Sequence, residues 1–180
     1  MANINYGDTP HFHRQIILDE LKKIQFDTLL EVGCGEGTNM FFIKRDFPNV
    51  QVFGLDNDAN KVYLCEEQFG RDFCQRGTAD YLPYKDKSFD VVLLDAILMY
   101  LGEEIVEKAI QEAYRVAKKA VIVCDRVYFD KIENPDMKIP IQGWDDDWDK
   151  GFILVKYLDR KEEKIKEVIK KKRGRPKKKK

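Results

Sequence analysis

The chain lacks several features that would place it in a specialised class. It contains no run of about 18 apolar residues, the length at which a helix can span a membrane. It has no C-x-x-C pair, so a zinc site built on paired cysteines is not expected. The segment 1–15 has no apolar stretch typical of a secretory signal. We therefore expect a cytoplasmic protein with no membrane segment and no metal.

Cysteine and histidine are both scarce. The cysteines are Cys34, Cys65, Cys74 and Cys124. Unpaired cysteines most often behave as small buried hydrophobic side chains, so we predict buried free thiols. The two histidines, His11 and His13, lie close together near the start of the sequence.

Net charge is also absent, because 32 basic residues balance 32 acidic ones. The balance hides an asymmetry. Residues 161–180 contain 12 Lys/Arg and 3 Asp/Glu, whereas residues 1–160 contain 20 Lys/Arg and 29 Asp/Glu. The sequence therefore predicts an acidic domain over residues 1–160 and a basic, disordered tail over residues 161–180. A polyanion such as a nucleic acid is the candidate partner of the tail, through residues 170–180.

Apolar periodicity predicts that strands and helices alternate along the domain. Strands are predicted at residues 28–32, 50–55, 73–77, 89–94, 120–124 and 151–157. Helices are predicted at residues 13–24, 38–47, 60–69 and 103–117. This alternation indicates one α/β domain with a doubly wound, mostly parallel sheet. The segment 126–150 has no predicted element, and a loop of that length is usually functional.

The stretch LLEVGCGEGTN, residues 29–39, places three glycines at alternate positions after the first predicted strand. Glycines permit unusual backbone angles and let a ligand approach the chain closely. Gly37 follows Gly35 by two residues, which differs from the G-x-G-x-x-G fingerprint of dinucleotide sites. Asp56 ends the second predicted strand, where a carboxylate can accept both hydroxyls of a ribose. The pattern predicts a ligand site at the carboxyl ends of the strands.

Four motifs taken in order resemble one known family. They are EVGCGEG, GLDN, GTADYLPY and SFDVVLLDAILMYL, within residues 13–125. Together they resemble the class I S-adenosylmethionine-dependent methyltransferases, in particular the small-molecule, type-11-like members. The resemblance implies a Rossmann-like sheet with a C-terminal antiparallel strand, S-adenosylmethionine as cofactor and a small-molecule acceptor. The short region after the fifth predicted strand departs from the family pattern and leaves the acceptor site open.

The resemblance also implies a role for each matched position. The matched cofactor-binding positions are Glu31, Gly33, Cys34, Gly35, Asp56, Asn57, Asp80, Tyr81, Asp95 and Ala96. Glu31 and the glycine turn would line the methionine part, and Asp95 with the next residue would border methionine and acceptor. Asp56 would hold the ribose hydroxyls, while Asn57 and Asp80 would contact the adenine. Asp80 as a turn residue and Asp95 as a helix cap are the structural alternatives.

An acceptor that bears a proton needs a general base within reach. The candidates are His11, His13 and Tyr100, and for each histidine a plain surface role is the alternative. The two histidines belong to residues 1–15, a segment that in this fold often lies over the cofactor as a lid. Arg14, in the same segment, could pair with the methionine carboxylate. Aromatic candidates for an acceptor wall, which could instead cover the sheet edge, are Tyr128, Phe129, Trp144 and Trp148.

The tail contains RGRP at residues 173–176, flanked by lysines, which resembles an AT-hook. Such segments insert arginines into narrow A·T minor grooves. A tail that binds polyanions without sequence preference is the alternative. Two further functions stay open: a DNA-binding adaptor that keeps the fold without turnover, and a protein- or nucleic-acid-associated methyltransferase targeted by its tail. Either would place the protein in a nucleoid or nucleus.

Overall fold

A computed structural model describes residues 6–126, 135–141 and 151–158. The helices are α1 (Phe12–Leu21), α2 (Thr38–Asp46), α3 (Ala59–Phe69) and α4 (Glu103–Val116), with a short 3-10 helix at Leu98–Tyr100. The strands are β1 (Thr28–Val32), β2 (Gln51–Asp56), β3 (Cys74–Arg76), β4 (Phe89–Asp95), β5 (Ala117–Asp125), β6 (Met137–Ile141) and β7 (Gly151–Tyr157). The alternation of strands and helices predicted for residues 13–125 is therefore present.

The strands that the structure describes form one sheet in the order β3-β2-β1-β4-β5-β7-β6. The strands β1 to β5 pair in parallel, and β7 runs antiparallel to both β5 and β6. The order reverses between β1 and β4, so their carboxyl ends leave a crevice in which α/β proteins bind ligands. The predicted doubly wound, mostly parallel fold with a C-terminal antiparallel strand is confirmed.

Both faces of the sheet are buried, because alternate residues of each strand point to opposite sides. On one face, Leu29 and Val91 pack with residues of α1 and α2. On the other, Leu30 and Val92 pack with α4. The buried residues of α4 recur at helical spacing and are Val106, Ala109, Ile110, Ala113 and Val116. This two-sided burial explains why β4 is apolar along most of its length.

The prediction that residues 126–150 contain no regular element is wrong in part, because β6 lies within that segment. Pro140 of β6 cannot donate a backbone hydrogen bond. At the edge of a sheet this costs little, and β6 is an edge strand paired only with β7 among the described strands. The predicted acceptor aromatics at 128, 129, 144 and 148 lie outside the described residues, as does the basic tail.

The cysteine prediction was right for two residues and wrong for two. Cys34 and Cys124 are buried free thiols. Cys65 of α3 and Cys74 of β3 are joined by a disulfide. They are nine residues apart in the chain, and the packing of α3 beside β3 brings their Cα atoms to 6.1 Å. Sequence spacing alone does not show that contact.

None of the helices in the described residues is long and apolar enough to cross a membrane.

Candidate functional site

The glycine turn joins β1 to α2 at the crevice. Gly33 has φ +79°, a left-handed conformation that residues with a side chain rarely adopt. Its backbone N–H donates to the carbonyl of Leu55 at 2.7 Å, which ties the turn to β2. A Cβ atom at Gly33 would lie 2.5 Å from Cδ1 of Ile97. Glycine is therefore required here by both backbone angle and space.

A cavity of about 290 Å³ lies at the carboxyl ends of the strands, beside this turn. Its lining residues are Gly33, Gly35, Leu55, Asp56, Asn57, Lys61, Gly77, Thr78, Ala79, Asp80, Ala96, Ile97, Tyr100, Leu101 and Ile105. The wall combines backbone at the glycines, two carboxylates, and an apolar rim from the segment after β4. This is the composition of a site for a ligand with both polar and apolar parts.

Asp56 is the carboxylate best fixed in the cavity wall. It is 8% exposed at the end of β2. Its Oδ2 accepts a hydrogen bond from the Gly35 N–H at 2.8 Å, and its Oδ1 accepts one from the Asp58 N–H at 2.9 Å. A carboxylate has about four acceptor sites, so both oxygens keep lone pairs for a ligand. The side chain is thus held by the backbone with acceptor capacity left over.

The segment after β3 forms the neighbouring wall. Gly77 donates its N–H to the carbonyl of Asp56 at 2.9 Å, and Thr78 forms an isolated bridge with Tyr81. Asp80 lines the cavity within this turn. The Tyr81 side chain is 72% exposed and is not part of the lining. The structure therefore does not place Tyr81 in the cavity wall, and its contact with a ligand stays a prediction.

A second group of polar side chains lies behind the cavity, and we call it the polar cluster. Its members are His13, Arg14, Glu31, Asn39 and Asp95. The Asn39 Nδ2 donates to Glu31 Oε1 at 2.6 Å and to Asp95 Oδ2 at 2.8 Å. Its Oδ1 accepts from Arg14 Nε at 2.9 Å. One amide from α2 therefore bridges the ends of β1 and β4.

The polar cluster continues to the start of α1. His13 is 3% exposed, and its Nε2 lies 3.5 Å from Asp95 Oδ2. Its Nδ1 lies 2.7 Å from Nδ1 of His11, which is exposed. Further along the same segment, the Tyr6 hydroxyl donates to the carbonyl of Glu36 in the glycine turn at 2.7 Å. Two contacts thus hold this segment, one to the glycine turn and one to the end of β4. A lid over the cofactor stays a prediction.

The two carboxyl groups of the polar cluster differ in protonation. Burial raises the pKa of Glu31 to about 8, with a smaller contribution from the nearby charge of Asp95. Burial acts in the same direction on Asp95. There the hydrogen bond and charge of His13, aided by Asn39, outweigh burial and hold the pKa of Asp95 below its ordinary value. At neutral pH Asp95 is therefore ionised, and Glu31 retains its proton.

The segment after β4 places the apolar rim. Ala96 has φ +54°, an uncommon angle for a residue with a Cβ atom, and its N–H donates to the carbonyl of Cys124 at 2.8 Å. Asp125 at the end of β5 accepts from the N–H of Leu98 at 2.9 Å and so fixes the 3-10 helix. Tyr100 of that helix is 77% exposed at the rim. Backbone strain at a ligand cavity is a common sign of a functional position.

The structure brings most of the sequence-predicted site residues together. Those that line the cavity are Gly33, Gly35, Asp56, Asn57, Asp80, Ala96 and Tyr100. Glu31, Asp95 and His13 lie in the polar cluster, while the Cys34 thiol points to the carbonyl of Gly35. The sequence reasoning missed Asn39 and the cavity residues Lys61, Ile97 and Ile105. The helical position of Asn39, one residue into α2 after the glycine turn, was the available signal.

Fold and site together describe an α/β protein with a candidate ligand cavity at the switch between β1 and β4. Comparison with known proteins agrees. Residues 30–124 match the model of a family described as a methyltransferase domain, which is more than half of the chain. The chain therefore belongs to this methyltransferase domain family.

Similar proteins support the same class. The chain is 40% identical over 68 residues to the phthiotriol/phenolphthiotriol dimycocerosates methyltransferase 1 of Mycobacterium ulcerans, a match covering 36% of this chain and 25% of that protein. It is 38% identical over 68 residues to the fatty-acid O-methyltransferase of Mycolicibacterium smegmatis, a match covering 36% of this chain and 24% of that protein. The chain thus spans about a quarter of the length of these curated relatives.

A solved structure extends the likeness to the fold. The SAM-dependent methyltransferase from Aquifex aeolicus has a TM-score of 0.63 at 16% identity, covering 81% of this chain and 89% of that one. Family and fold together identify a domain whose cofactor is S-adenosylmethionine.

The residues present fit this cofactor. Glu31 Oε2 and Asp95 Oδ1 are buried and have no hydrogen-bond partner among the described residues. The Oδ1 of the ionised Asp95 would suit the ammonium group of a bound amino acid, since an unpaired buried acceptor is costly. Asp56 retains lone pairs for ribose hydroxyls. Among the residues that the structure describes, no group of His, Cys, Asp and Glu side chains is arranged to hold a metal ion.

Proposed function

We propose that the protein moves a methyl group from S-adenosylmethionine to a small-molecule acceptor by in-line transfer. The observation that carries the proposal is the cavity beside the glycine turn, with the fixed Asp56 carboxylate on one wall and the polar cluster behind the other. This arrangement can hold the two ends of an extended nucleoside–amino acid molecule. The family match supports the reaction class.

On the nucleoside side of the cavity, each proposed contact follows from position. Asp56 would accept the two ribose hydroxyls, and Asn57 would lie against the adenine. Asp80 would accept from the adenine amino group, with the Tyr81 backbone beside it. These residues come from the ends of β2 and β3, which are paired in parallel. Their order along the wall therefore follows the order of the strands.

On the methionine side, Gly33 and Gly35 would let the ligand approach the backbone. Glu31 and Asp95 would face its amino group, and Ala96 would border the acceptor. The Cys34 thiol is directed to the carbonyl of Gly35 and its burial raises its pKa well above the ordinary value, so a contact of this residue would come from its backbone. No nucleophilic thiolate is therefore assigned to the reaction.

The chemistry asks little of the protein beyond orientation. The sulfonium of the cofactor supplies an activated leaving group when it is bound. The chain must hold the acceptor atom in line with the methyl group and exclude water, and orientation of this kind can contribute up to about 7–11 kcal/mol. The rim residues Ile97, Leu101 and Ile105 are placed to do this, because they are apolar and border the cavity.

A small, partly apolar acceptor is the class we favour. By their names, one relative acts on phthiotriol or phenolphthiotriol dimycocerosates and the other on fatty acids. The exposed rim at Tyr100 and Ile105 offers an apolar surface at the mouth of the cavity. Tyr100 itself would contact the acceptor there.

Calorimetric titration of S-adenosylhomocysteine into the full-length protein tests the cofactor site. We expect micromolar binding, with no binding of NADH as a control ligand. Asp56→Ala removes the acceptors for two hydroxyls and should weaken binding by roughly 100-fold or more, since hydrogen bonds to charged groups contribute about 1.5–3 kcal/mol each. Asp72→Ala removes an exposed carboxylate on another part of the surface and should bind normally. Equal affinity of both folded variants would contradict the proposed site.

The charge asymmetry of the sequence favours a second candidate function, in which the tail binds nucleic acid. Affinity for an A·T-rich duplex should then fall steeply with salt. Replacing Arg173 and Arg175 with alanine should remove any preference for A·T-rich over G·C-rich DNA, whereas Lys178→Ala should weaken both equally. A non-catalytic adaptor would bind DNA equally well with Asp56→Ala, while an enzyme also consumes S-adenosylmethionine when its acceptor is present.

A further inference from the structure

The disulfide between Cys65 and Cys74 joins two elements that each contribute to the cavity lining. Cys65 follows Lys61 by four residues on α3, and Lys61 lines the cavity. Cys74 begins β3, and the lining residues 77–80 follow that strand directly. We call residues 77–80 the wall segment. The disulfide is therefore a covalent link between two parts of the cavity lining.

The wall segment lies between two anchors. Beyond its end, the Leu82 N–H donates to the Glu112 carboxylate at 2.8 Å, and the Leu82 carbonyl accepts from Arg115 Nη2 at 2.9 Å. Before its start, β3 has three residues, lies at one edge of the described sheet and pairs with β2. Such a short edge strand opens at a lower free energy than the core. The disulfide fastens this weaker anchor to α3.

The disulfide also packs through Met40 toward the glycine turn. Cys65 Sγ lies 3.6 Å from Met40 Sδ on α2. A Cβ atom on Gly54 would lie 2.7 Å from Met40 Sδ and 2.6 Å from Cys34 Sγ, so these two sulfur atoms fill the space over Gly54. Gly54 is the β2 residue directly opposite Cys74. Because protein interiors are closely packed, a change at the disulfide is transmitted to the turn.

We propose that the Cys65–Cys74 disulfide is a redox site that controls the affinity for S-adenosylmethionine. The intact disulfide holds the wall segment and the glycine turn in the arrangement described above. Its reduction by a low-molecular-weight thiol releases β3 and weakens binding. The inference rests on the proposed function, because it concerns the cofactor cavity of the methyl transfer.

Reduction is a two-step exchange that consumes two molecules of the small thiol. The thiolate of the first attacks Cys74 Sγ, the sulfur–sulfur bond breaks, and Cys65 leaves with the electron pair and takes up a proton. The second thiolate attacks the small-thiol sulfur of this mixed disulfide, so that Cys74 leaves and is protonated in turn. The protein disulfide gains two electrons, and the two small thiols become one small disulfide. Their two protons end on the protein thiols.

The position of the attack follows from exposure and from the place of β3 in the sheet. Cys65 is 0% and Cys74 is 4% exposed, so a thiol reaches the bond only when its surroundings open. The edge strand β3 opens more readily than the core, and it carries Cys74. A bound cofactor would contact the wall segment and oppose this opening. Cofactor and disulfide should therefore stabilise each other by the same factor.

Hydrogen exchange of the full-length protein tests the structural step without cofactor. The oxidised protein is compared with protein reduced by tris(2-carboxyethyl)phosphine, and alkylation should modify two and four cysteines, respectively. The Gly77 N–H donates to the Asp56 carbonyl at 2.9 Å and should lose protection on reduction. The amides of β4, the central strand of the described sheet, are the internal control. Equal protection of Gly77 in both forms would overturn the inference.

Calorimetric titration of S-adenosylhomocysteine tests the functional step. Reduction of the wild type should raise the Kd roughly 10-fold, the value for a wall that is formed in about one reduced molecule in ten. The double variant Cys65→Ala, Cys74→Ala should bind like the reduced wild type and should not respond to the reductant. Gln75→Ala, at an exposed position of β3, keeps the disulfide and is the matched control, with the same response as the wild type.

Titration with mixtures of reduced and oxidised glutathione tests whether the disulfide is a switch. The alkylation assay gives the fraction of reduced protein, and saturating S-adenosylhomocysteine should shift the midpoint toward more reducing mixtures by the same factor. A shift of roughly 10-fold corresponds to about 30 mV for two electrons. A disulfide that an excess of reduced glutathione leaves intact would be purely structural, which would overturn the inference.

The outcomes separate this inference from the proposed function. If S-adenosylhomocysteine binds equally to both redox forms, the control is wrong and cofactor binding stands. Four alkylated cysteines in protein treated with oxidised glutathione would show that the disulfide does not form and would also overturn the inference. If neither form binds, the proposed function is contradicted and the control of its site with it. Because the wild type is measured in both forms, the decision does not depend on whether the double variant folds.

Discussion

The two sides of the cavity are built by different means. On the nucleoside side, Asp56 and Asp80 lie on the wall itself, and Asp56 is held by the N–H groups of Gly35 and Asp58. On the methionine side, Glu31 and Asp95 are buried behind the wall and are held by the side chain of Asn39. Backbone contacts organise one side, and side chains from four elements organise the other.

The difference has a consequence for charge. The Asp56 carboxylate meets backbone donors at the cavity wall, so it is available to neutral hydroxyl groups. Glu31 and Asp95 share one amide. Burial raises the pKa of Glu31 to about 8, whereas His13 and Asn39 hold the pKa of Asp95 below its ordinary value. The nucleoside side is therefore suited to hydrogen bonding, while the methionine side is suited to positive charge.

The largest expected effect on ligand binding comes from the turn that both sides share. Gly33→Ala would force a side chain into a left-handed backbone position and against Ile97. We expect loss of S-adenosylhomocysteine binding by roughly 100-fold and a destabilisation of about 1–3 kcal/mol. Calorimetry and urea unfolding measure the two effects. Gly102→Ala is the matched control, because a Cβ atom there meets nothing within 4 Å. Similar affinity in the two variants would show that the ligand does not approach the turn.

The next effect is on stability and concerns the methionine side alone. Asn39→Leu removes the amide that serves both Glu31 and Asp95, so two buried carboxyl groups lose a donor. We expect the free energy of unfolding to fall by about 2–4 kcal/mol. Asn60→Leu, on the exposed face of α3, should change it by less than about 0.5 kcal/mol. Urea unfolding measures the free energy of unfolding of both variants. Equal free energies would mean that the polar cluster contributes no stability.

The same contrast explains what the sequence could predict. Gly33, Gly35 and Asp56 could be assigned because turn and strand end follow from local pattern. The bounds of β1 and β7 were predicted to the residue for the same reason. Asn39 was missed, since its position after the glycine turn is only a weak signal and its partners lie 8 and 56 residues away, brought together by packing. The disulfide and the edge strand β6 were missed for the same physical reason, namely that tertiary contacts decide them.

A pH dependence of stability tests the protonation of Glu31. The pKa of Glu31 is about 8 in the folded chain and near 4.5 when exposed, so between these values the unfolded state loses a proton that the folded state keeps. Stability should therefore fall with rising pH in the wild type relative to Glu31→Gln, by about 2–3 kcal/mol between pH 5.5 and 7.5. Urea unfolding at several pH values measures it. Glu107 is exposed on α4, so the stability of Glu107→Gln should change with pH as in the wild type. If the stability of Glu31→Gln also followed the wild-type pH dependence, the raised pKa of Glu31 would be contradicted.

The smallest effect concerns backbone strain. Ala96 on the cavity wall and Lys87 on the surface have the same positive φ of 54°. Glycine removes the Cβ atom that disfavours this conformation, so Ala96→Gly and Lys87→Gly should each stabilise the fold by up to about 1 kcal/mol. Only Ala96→Gly should weaken S-adenosylhomocysteine binding, by a few fold, because the strained residue holds the cavity wall in shape. Thermal unfolding and calorimetry measure both. If Lys87→Gly weakened binding as much, the strain at Ala96 would have no specific role in the site.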